Sequence, residues 1–278
     1  MRGKLHVINR NLRLAALIAI GAVVFSATGC DKLRARDQLN KGVASYKNAR
    51  YEQAIDHFQN AVSLDPGLGV ARLYLATAYT QLYIPEVDTP DNLRLAEQAI
   101  EQFKVVLEKD PKSVTSVKGI AYLYLQQKKF DDAKAYYHKA LEIDPNDPES
   151  YYTLGVVAWT QSYKPRMDER AKLGLKPDQP LKDKKVCDSL RAQNWGIIQD
   201  GLDSLNKALG LRPDYDDAMA YINLLYRERA DLECGDMAAR AADEKMGDDW
   251  YAKTMATKKL KLEKQPAATG ITMDQNGK

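Results

Sequence analysis

Histidine and cysteine would carry most of the informative chemistry in this chain, and both are scarce, with three of each. His6 lies in a basic and apolar N-terminal segment, while His57 and His138 stand in helical stretches with no neighbouring motif that gives them a catalytic role. The sequence contains no HExxH, GxSxG, P-loop or CxxC motif. We therefore predict that the protein is not an enzyme, has no small-molecule substrate and needs no cofactor.

A group of carboxylates, Glu86, Asp88 and Asp91, is the strongest candidate for a metal site. Calcium-binding loops of the EF-hand type need acidic ligands at fixed positions and a glycine at the sharp turn. The spacing here fits no such loop, and the glycine is missing. We interpret these residues as a solvated acidic loop and predict no metal site.

Cys30 has a different context, because it follows a segment typical of exported proteins. Arg2, Lys4, Arg10 and Arg13 form a basic region, and an apolar run of 12 residues follows from Leu14 to Phe25. This run is too short for a bilayer span of about 20 residues but suits the core of a signal peptide. Small residues then lead directly to Cys30, although Ala27 stands at the position where a leucine is preferred.

This junction resembles the bacterial lipobox, in which the cysteine is acylated and becomes the new N-terminus. The resemblance implies that residues 1–29 are a lipoprotein signal peptide and that Cys30 is the lipidated residue. An ordinary secretory signal and an uncleaved anchor remain alternatives. Asp31 resembles a signal for retention in the inner membrane, a rule that varies between bacteria. We expect a protein of the cell envelope, anchored in the membrane and facing the periplasm, with the leaflet left open.

Cys187 and Cys234 would then form a pair in an oxidising compartment. They lie 26 positions before and 21 positions after Pro213. If the helices on either side of that proline are antiparallel, a rise of about 1.5 Å per residue brings the two cysteines to a similar height. The sequence leaves open whether they form a disulfide.

The charge of the mature chain is close to zero. The sequence has 41 Lys and Arg against 38 Asp and Glu, and removal of the four basic residues of the signal peptide leaves 37 against 38. Because nucleic-acid binding rests largely on positive charge, we predict no nucleic-acid partner.

A repeated spacing organises the rest of the chain. Before each of four prolines, a small residue lies twelve positions back, a large apolar residue eight positions back and another small or β-branched residue five positions back. These positions are Ala54, Phe58 and Ala61 before Pro66; Ala99, Phe103 and Val106 before Pro111; Ala133, Tyr137 and Ala140 before Pro145; and Gly201, Leu205 and Ala208 before Pro213. The three positions share one helix face, and the proline ends the helix. A preceding helix carries Gly42, Ala76, Ala121 or Gly155 as a site of close contact.

This pattern resembles the tetratricopeptide repeat (TPR), which implies an all-α solenoid of helix-turn-helix units in a right-handed superhelix. The expected segments are a tether at 30–34; an array at 35–247, with units at about 35–68, 69–112, 113–146, 147–214 and 215–247; a capping helix at 248–264; and a disordered tail at 265–278. Insertions are expected at 83–93 and 163–196. In the second insertion we expect Pro165, Gly174, Pro177 and Pro180 to prevent a continuous helix, and a long helix to follow from about Asp183 to Leu211.

The family resemblance also implies a concave groove, lined by the first helix of each unit, that binds a peptide or a helix of a partner protein. The corresponding positions are Leu39, Val43, Tyr46, Leu73, Thr77, Thr80, Lys118, Tyr122, Leu125, Tyr152, Val156 and Trp159. We expect a third of them to be helix-packing core instead. A lysine and an asparagine that clamp a carboxylate in some members are replaced by Leu39 and Val43.

The sequence thus predicts a membrane-anchored scaffold that binds an envelope protein in its groove. The alternative is a structural or lipid-contacting module that uses the insertion at 163–196, where nine basic and five acidic residues lie between Lys164 and Arg191.

Overall fold

The computed structural model describes residues 30–176 and 179–264, and within them the chain is all-α. The described residues form ten helices: α1 (30–47), α2 (Tyr51–Leu64), α3 (Gly69–Leu82), α4 (Pro90–Lys109), α5 (Val114–Gln126), α6 (Phe130–Ile143), α7 (Pro148–Lys172), α8 (Lys184–Leu211), α9 (Asp216–Ala230) and α10 (Met237–Lys264). The predicted signal peptide and C-terminal tail lie outside the described residues. The chain divides into two compact units, with the boundary between Gln127 and Lys128.

In the first unit, α2 packs against α3, α3 against α4 and α4 against α5, and α3 also contacts α5. In the second unit, α6 to α10 follow the same order, and α7 also contacts α9. Contacts between alternate helices are what a stack of helix pairs produces, because the first helices of neighbouring pairs lie side by side. The packing within each unit therefore agrees with the predicted repeat.

The repeat positions form the core. All twelve residues counted back from the four prolines are buried. The small residues allow close approach: a Cβ on Gly42 would lie 2.4 Å from Cε1 of Phe58, and a Cβ on Gly155 would lie 2.3 Å from Cγ of Leu205. Alanine at these sites would collide with the partner helix, which confirms them as sites of close contact.

The first insertion is a short loop that leads into an extended helix. Thr89 caps α4 by accepting a hydrogen bond from the Asn92 amide, and Pro90 is the first helical residue, as predicted. Asn92 also fixes the loop, because its side-chain amide donates to the carbonyls of Ile84 and Val87 and accepts from the Ile84 amide, at 2.7–2.8 Å.

The second insertion differs from the prediction. Helix α7 continues through Pro165 to Lys172, so this proline does not end the helix. Between the two helices, the described residues 173–176 and 179–183 lie outside helices, and α8 then starts at Lys184, close to the predicted start. Proline removes one backbone hydrogen bond, but side chains of the same stretch make compensating bonds to α9, described below.

Two terminal assignments also need correction. Residues 30–34, expected to be a tether, are the first described residues of α1. The end of the predicted fifth unit (215–247) and the predicted capping helix (248–264) belong to one continuous helix, α10, of 28 residues. Gly247 lies at the predicted boundary, where it is buried with its Cβ position 3.4 Å from the Asn223 carbonyl oxygen. The glycine thus lies against α9 within a continuous helix and does not break it.

Candidate functional site

The predicted groove residues remain accessible within their own units. Eleven of the twelve are half-buried, and Tyr122 is 42% exposed. The expectation that a third of them belong to the buried core is therefore wrong. Their side chains lie on α1, α3 and α5 in the first unit and on α7 in the second.

In the first unit, the two threonines of this face have little free polar capacity, and Lys118 and Tyr122 are its other polar side chains apart from Tyr46. The hydroxyls of Thr77 and Thr80 donate to the carbonyls of Leu73 and Ala76 in their own helix, at 2.8 and 2.9 Å. Such i−4 bonds occupy the hydroxyl donor. Tyr46 contacts Tyr74 edge to face with ring centroids 6.4 Å apart, which connects α1 to α3. Contacts with a ligand here would be mainly apolar and aromatic.

The second unit brings together a denser cluster, the aromatic face, formed by Tyr152, Trp159 and Tyr163 of α7 and Tyr221 of α9. Tyr221 lies against both Tyr152 and Trp159, with centroid distances of 5.7 and 5.6 Å. Trp159 also stacks on Tyr163 at 4.8 Å. Edge-to-face and offset contacts of this kind fix the rings while leaving part of their surface accessible.

Two members of the aromatic face, Tyr163 and Tyr221, were missed from the sequence. Counted from Pro213, the groove positions of α9 are Ala220, Leu224 and Arg227, so extending the repeat register would not have found Tyr221. Tyr163 lies one helical turn beyond Trp159, within the stretch that was expected to leave the helix at Pro165.

A tyrosine that is hydrogen-bonded to a carboxylate packs against the aromatic face. The hydroxyl of buried Tyr215 donates to one carboxylate oxygen of Glu149 at 2.6 Å, and Arg212 donates to the other at 2.8 Å. The Tyr152 ring packs on the Tyr215 ring at 4.9 Å. Burial, followed by the bond to Glu149, raises the pKa of Tyr215 well above its usual range. Tyr152 is thus held by a neighbour that stays neutral.

Burial also raises the pKa of two phenols of the aromatic face. It raises the pKa of Tyr152 to about 12, with smaller contributions from Tyr221, Asp217 and Glu149. Burial and then Asp217 raise the pKa of Tyr221. Tyr152 and Tyr221 therefore stay uncharged to a higher pH than ordinary tyrosines, and the exposed carboxylate of Asp217 lies beside them.

The indole of Trp159 adds an unusual feature. Its Nε1 atom is shielded from solvent and has no hydrogen-bond partner within the described part of the chain. A buried donor without a partner costs roughly 1–3 kcal/mol. The aromatic face therefore carries an unmet hydrogen-bonding requirement at its centre.

The basic insertion is not a free cationic surface. The guanidinium of Arg166 donates to Glu228 at 2.6 and 2.8 Å and to Asp231 at 2.6 Å. Arg170 and Arg240 donate to Asp231 at 2.9 and 2.8 Å. We call these five residues the buried ion network; each side chain is at most 12% exposed. They fasten the end of α7 to α9 and to the start of α10.

Covalent and weaker polar contacts hold the same region. Cys187 and Cys234 form a disulfide with Cα atoms 5.4 Å apart. Lys164, Lys172 and Lys184 pair with acids three or four positions away in their own helices. Next to Pro165, the Asn194 amide donates to the Ser162 carbonyl at 3.4 Å. Much of the positive charge predicted for this insertion is therefore neutralised locally.

Within residues 30–176 and 179–264, no cluster of three His, Cys, Asp or Glu side chains could hold a metal ion. None of the helices in these ranges is both long enough and apolar enough to cross a membrane. Cys30 is a free, exposed cysteine at the edge of the described residues.

Taken together, the packed helix pairs and the accessible face of their first helices define an all-α repeat protein. The sequence profile of the tetratricopeptide repeat matches residues 38–68 and 118–147. The chain is a TPR protein, and its fold provides a scaffold of the kind used for protein–protein interaction.

Solved structures agree with this assignment. A crystal structure of the MamA protein aligns with a TM-score of 0.56 at 14% identity, over 84% of this chain and 97% of that chain. MamA from Desulfovibrio magneticus RS-1, residues 41 to the end, gives 0.55 at 14% identity, over 82% and 96%. MamA of AMB-1 gives 0.52 at 18% identity, over 84% and 98%. At these identities the similarity shows a shared fold. No curated protein sequence matches the chain.

Proposed function

We propose that this protein is a non-enzymatic scaffold of the bacterial cell envelope, which is anchored through acylated Cys30, faces the periplasm and binds a peptide or helix of a partner envelope protein. The observation that carries the binding part is the aromatic face in the second unit. Its rings are rigidly packed, partly accessible and placed on the first helices of the repeat.

Energetic reasons favour this surface as the contact. Binding hot spots are enriched in tryptophan and tyrosine, because these side chains bury a large area at a small cost in conformational entropy. The neutral phenols can donate or accept hydrogen bonds along an extended backbone or a helix face.

The proposed anchor rests on the sequence around Cys30 and on the accessibility of that residue. The thiol is exposed and free, so an acyl chain attached there would not disturb the core. Several acyl chains hold a protein stably on a membrane, where a single chain binds only marginally.

The lipid-contacting alternative is less well supported by the insertion. Arg166 and Arg170 belong to the buried ion network, and the acids Glu228 and Asp231 offset their charge. Because attraction to anionic lipid depends on unpaired surface charge, this region offers a weaker contact than its composition suggests.

In-cell photo-crosslinking tests the binding role. A photoreactive residue at Tyr122 or Tyr152 is expected to capture one envelope protein, whereas the same residue at Lys172 or Lys184 is not. Addition of Trp159→Ala should reduce capture at Tyr152, and exposed Lys245→Ala serves as the matched control. Capture only from the insertion positions, or capture that Trp159→Ala leaves unchanged, would contradict the proposed site.

A second experiment tests the anchor separately. Metabolic labelling with an alkyne fatty acid should mark the wild-type chain and leave Cys30→Ala unlabelled. The variant should also leave the membrane fraction for the soluble periplasmic fraction. Equal membrane association of both forms would argue for an uncleaved apolar segment instead.

A further inference from the structure

Helix α10 has two faces of different character, and only one of them has a partner in the described structure. Its inner stripe packs on α9 with alternating spacings of three and four residues, through Arg240, Asp243, Gly247, Trp250, Thr254, Thr257 and Lys261. Several contacts fix this register: Arg229 donates to Asp243 at 2.8 Å, and Thr257 lies 3.6 Å from the Met219 sulfur. The orientation of α10 is therefore set along its whole length.

A second face of α10, about 110° around the helix from the inner stripe, is exposed and partly apolar. We call it the outer stripe, and its members are Met237, Ala241, Asp248, Tyr251, Met255, Lys259 and Leu262, all of which are exposed. Tyr251, Met255 and Leu262 are 55%, 50% and 67% exposed, respectively. At about 100° per residue these seven positions fall on one side of the helix, over a length of roughly 37 Å, together with half-buried Glu244, which pairs with Arg240. Such a row of large apolar side chains marks an interaction surface.

The charges beside the outer stripe are divided between the two halves of the helix. Outside the inner stripe, residues 237–249 contain one basic and three acidic side chains, whereas residues 253–264 contain four basic and one acidic side chain. A second α10 that ran parallel would place like charges together. An antiparallel one would place the acidic half of each copy against the basic half of the other.

We propose that the part of the outer stripe from Asp248 to Lys259 binds the same part of a second copy of this chain, with the two α10 helices antiparallel and their two-fold axis near Lys253. In this register, Tyr251 of each copy packs on Met255 of the other. Asp248 lies opposite Lys258 and beside Lys259. The contact is self-complementary, as a two-fold interface requires.

The charged side chains of the proposed contact already form ion pairs within their own chain. Asp248 already accepts from Arg227 at 2.6 Å, and Lys258 lies 4.0 Å from both Asp216 and Asp217. Lys259 makes a long, exposed pair with Glu263 at 3.9 Å. Exposed pairs of this kind are worth little, so they rearrange readily in a new interface.

The expected dimer is weak. Stable interfaces bury about 800 Å² on each partner, and a single pair of helices of this length provides less. Attachment of both copies to one membrane would raise their effective concentration, so a weak contact would suffice there. The proposal does not depend on the partner-binding face, because α10 contributes none of its residues.

Sedimentation equilibrium of the chain carrying Cys30→Ser tests the proposal. We expect a reversible monomer–dimer equilibrium that Met255→Glu abolishes. Leu260→Glu is the matched control, because Leu260 is 55% exposed on the same helix but lies outside the outer stripe. This control should keep the dimer. A chain that stays monomeric at all concentrations, or a dimer that survives Met255→Glu, overturns the proposal.

Cysteine crosslinking tests the orientation. A mixture of Tyr251→Cys and Met255→Cys chains should crosslink more efficiently than either variant alone. Efficient crosslinking of each variant alone, with no gain in the mixture, would indicate parallel helices and overturn the arrangement. Vesicles containing phosphatidylglycerol provide the remaining test: if a monomeric chain binds them and Met255→Glu prevents binding, the outer stripe contacts lipid and the proposal is wrong.

Discussion

The guanidinium of Arg166 in α7 donates two hydrogen bonds to the carboxylate of Glu228 in α9, at 2.6 and 2.8 Å, across 62 positions of sequence. Burial raises the pKa of Glu228, and the bonds from Arg166 oppose that rise. The pair therefore lets two charged side chains remain buried where the insertion meets the repeat.

Replacement of Arg166 by methionine should leave the Glu228 carboxylate buried without its main partner. Loss of one member of a buried pair costs about 3–5 kcal/mol of unfolding free energy. Lys164→Met is the matched control, because Lys164 lies two residues before Arg166 in the same helix. Lys164 forms an exposed pair with Asp168, and the loss of this pair should cost at most about 0.5 kcal/mol. Urea unfolding compares the two, and equal effects would mean that the network does not stabilise the fold.

This pairing also explains why the prediction that the helix ends near Pro165 was wrong. Local rules end a helix near Pro165, and composition suggests a solvated basic hairpin. The acids that reverse this outcome, Glu228 and Asp231, lie more than 60 positions away and carry no local signal. By contrast, the repeat spacing from Ala54 to Ala208 located the core correctly, because each position is specified by helix periodicity and a nearby proline.

The aromatic face was likewise predicted only in part from the sequence. Tyr152 and Trp159 follow from the repeat register, whereas Tyr163 and the support from Tyr215 require knowledge of how α7, α8 and α9 pack together. The hydrogen-bonding state of the Trp159 indole depends on its complete surroundings, so a sequence pattern cannot predict it.

Alanine at Gly155 should destabilise the second unit. Its Cβ would lie 2.3 Å from Cγ of the fully buried Leu205, so α7 and α8 would have to separate. Overpacking of this kind costs about 1–3 kcal/mol. Gly196→Ala in α8 provides the control, because its Cβ would meet no atom within 4 Å and alanine favours a helix by about 0.5–1 kcal/mol. Thermal unfolding should therefore move in opposite directions for the two variants.

Removal of the disulfide should also destabilise the fold. The bond joins residues 47 positions apart, and it restricts the unfolded chain. We expect the Cys187→Ala, Cys234→Ala double variant to lose about 2–4 kcal/mol. Reduction of the wild-type chain should give a similar loss, while Cys30→Ser should change nothing. An unfolding midpoint that is insensitive to reductant would show that the bond adds no stability.

Asn92→Ala should loosen the first insertion. Its buried side chain makes three bonds to the backbone of Ile84 and Val87, and the alanine variant would leave these groups without partners. A loss of about 1–3 kcal/mol is expected. Limited proteolysis should then cleave between 83 and 89 faster than in the wild type, whereas Asn60→Ala, at an exposed site in α2, should not change the cleavage rate.

The aromatic face should make the protein sensitive to alkaline pH. Burial raises the pKa of Tyr152 from 10.0 to about 12, so the folded chain keeps its phenol proton at a pH where the unfolded chain releases it. The stabilisation is fully present below pH 10, and it is lost as the pH rises from about 10 to about 12.

Tyr152→Phe cannot ionise, so its unfolding free energy should fall less steeply over this interval. Urea titrations at several pH values measure the difference, with exposed Tyr251→Phe as the control. Parallel pH profiles for Tyr152→Phe and the wild type would mean that Tyr152 titrates like a solvent-exposed phenol, and that the aromatic face is more hydrated than its packing indicates.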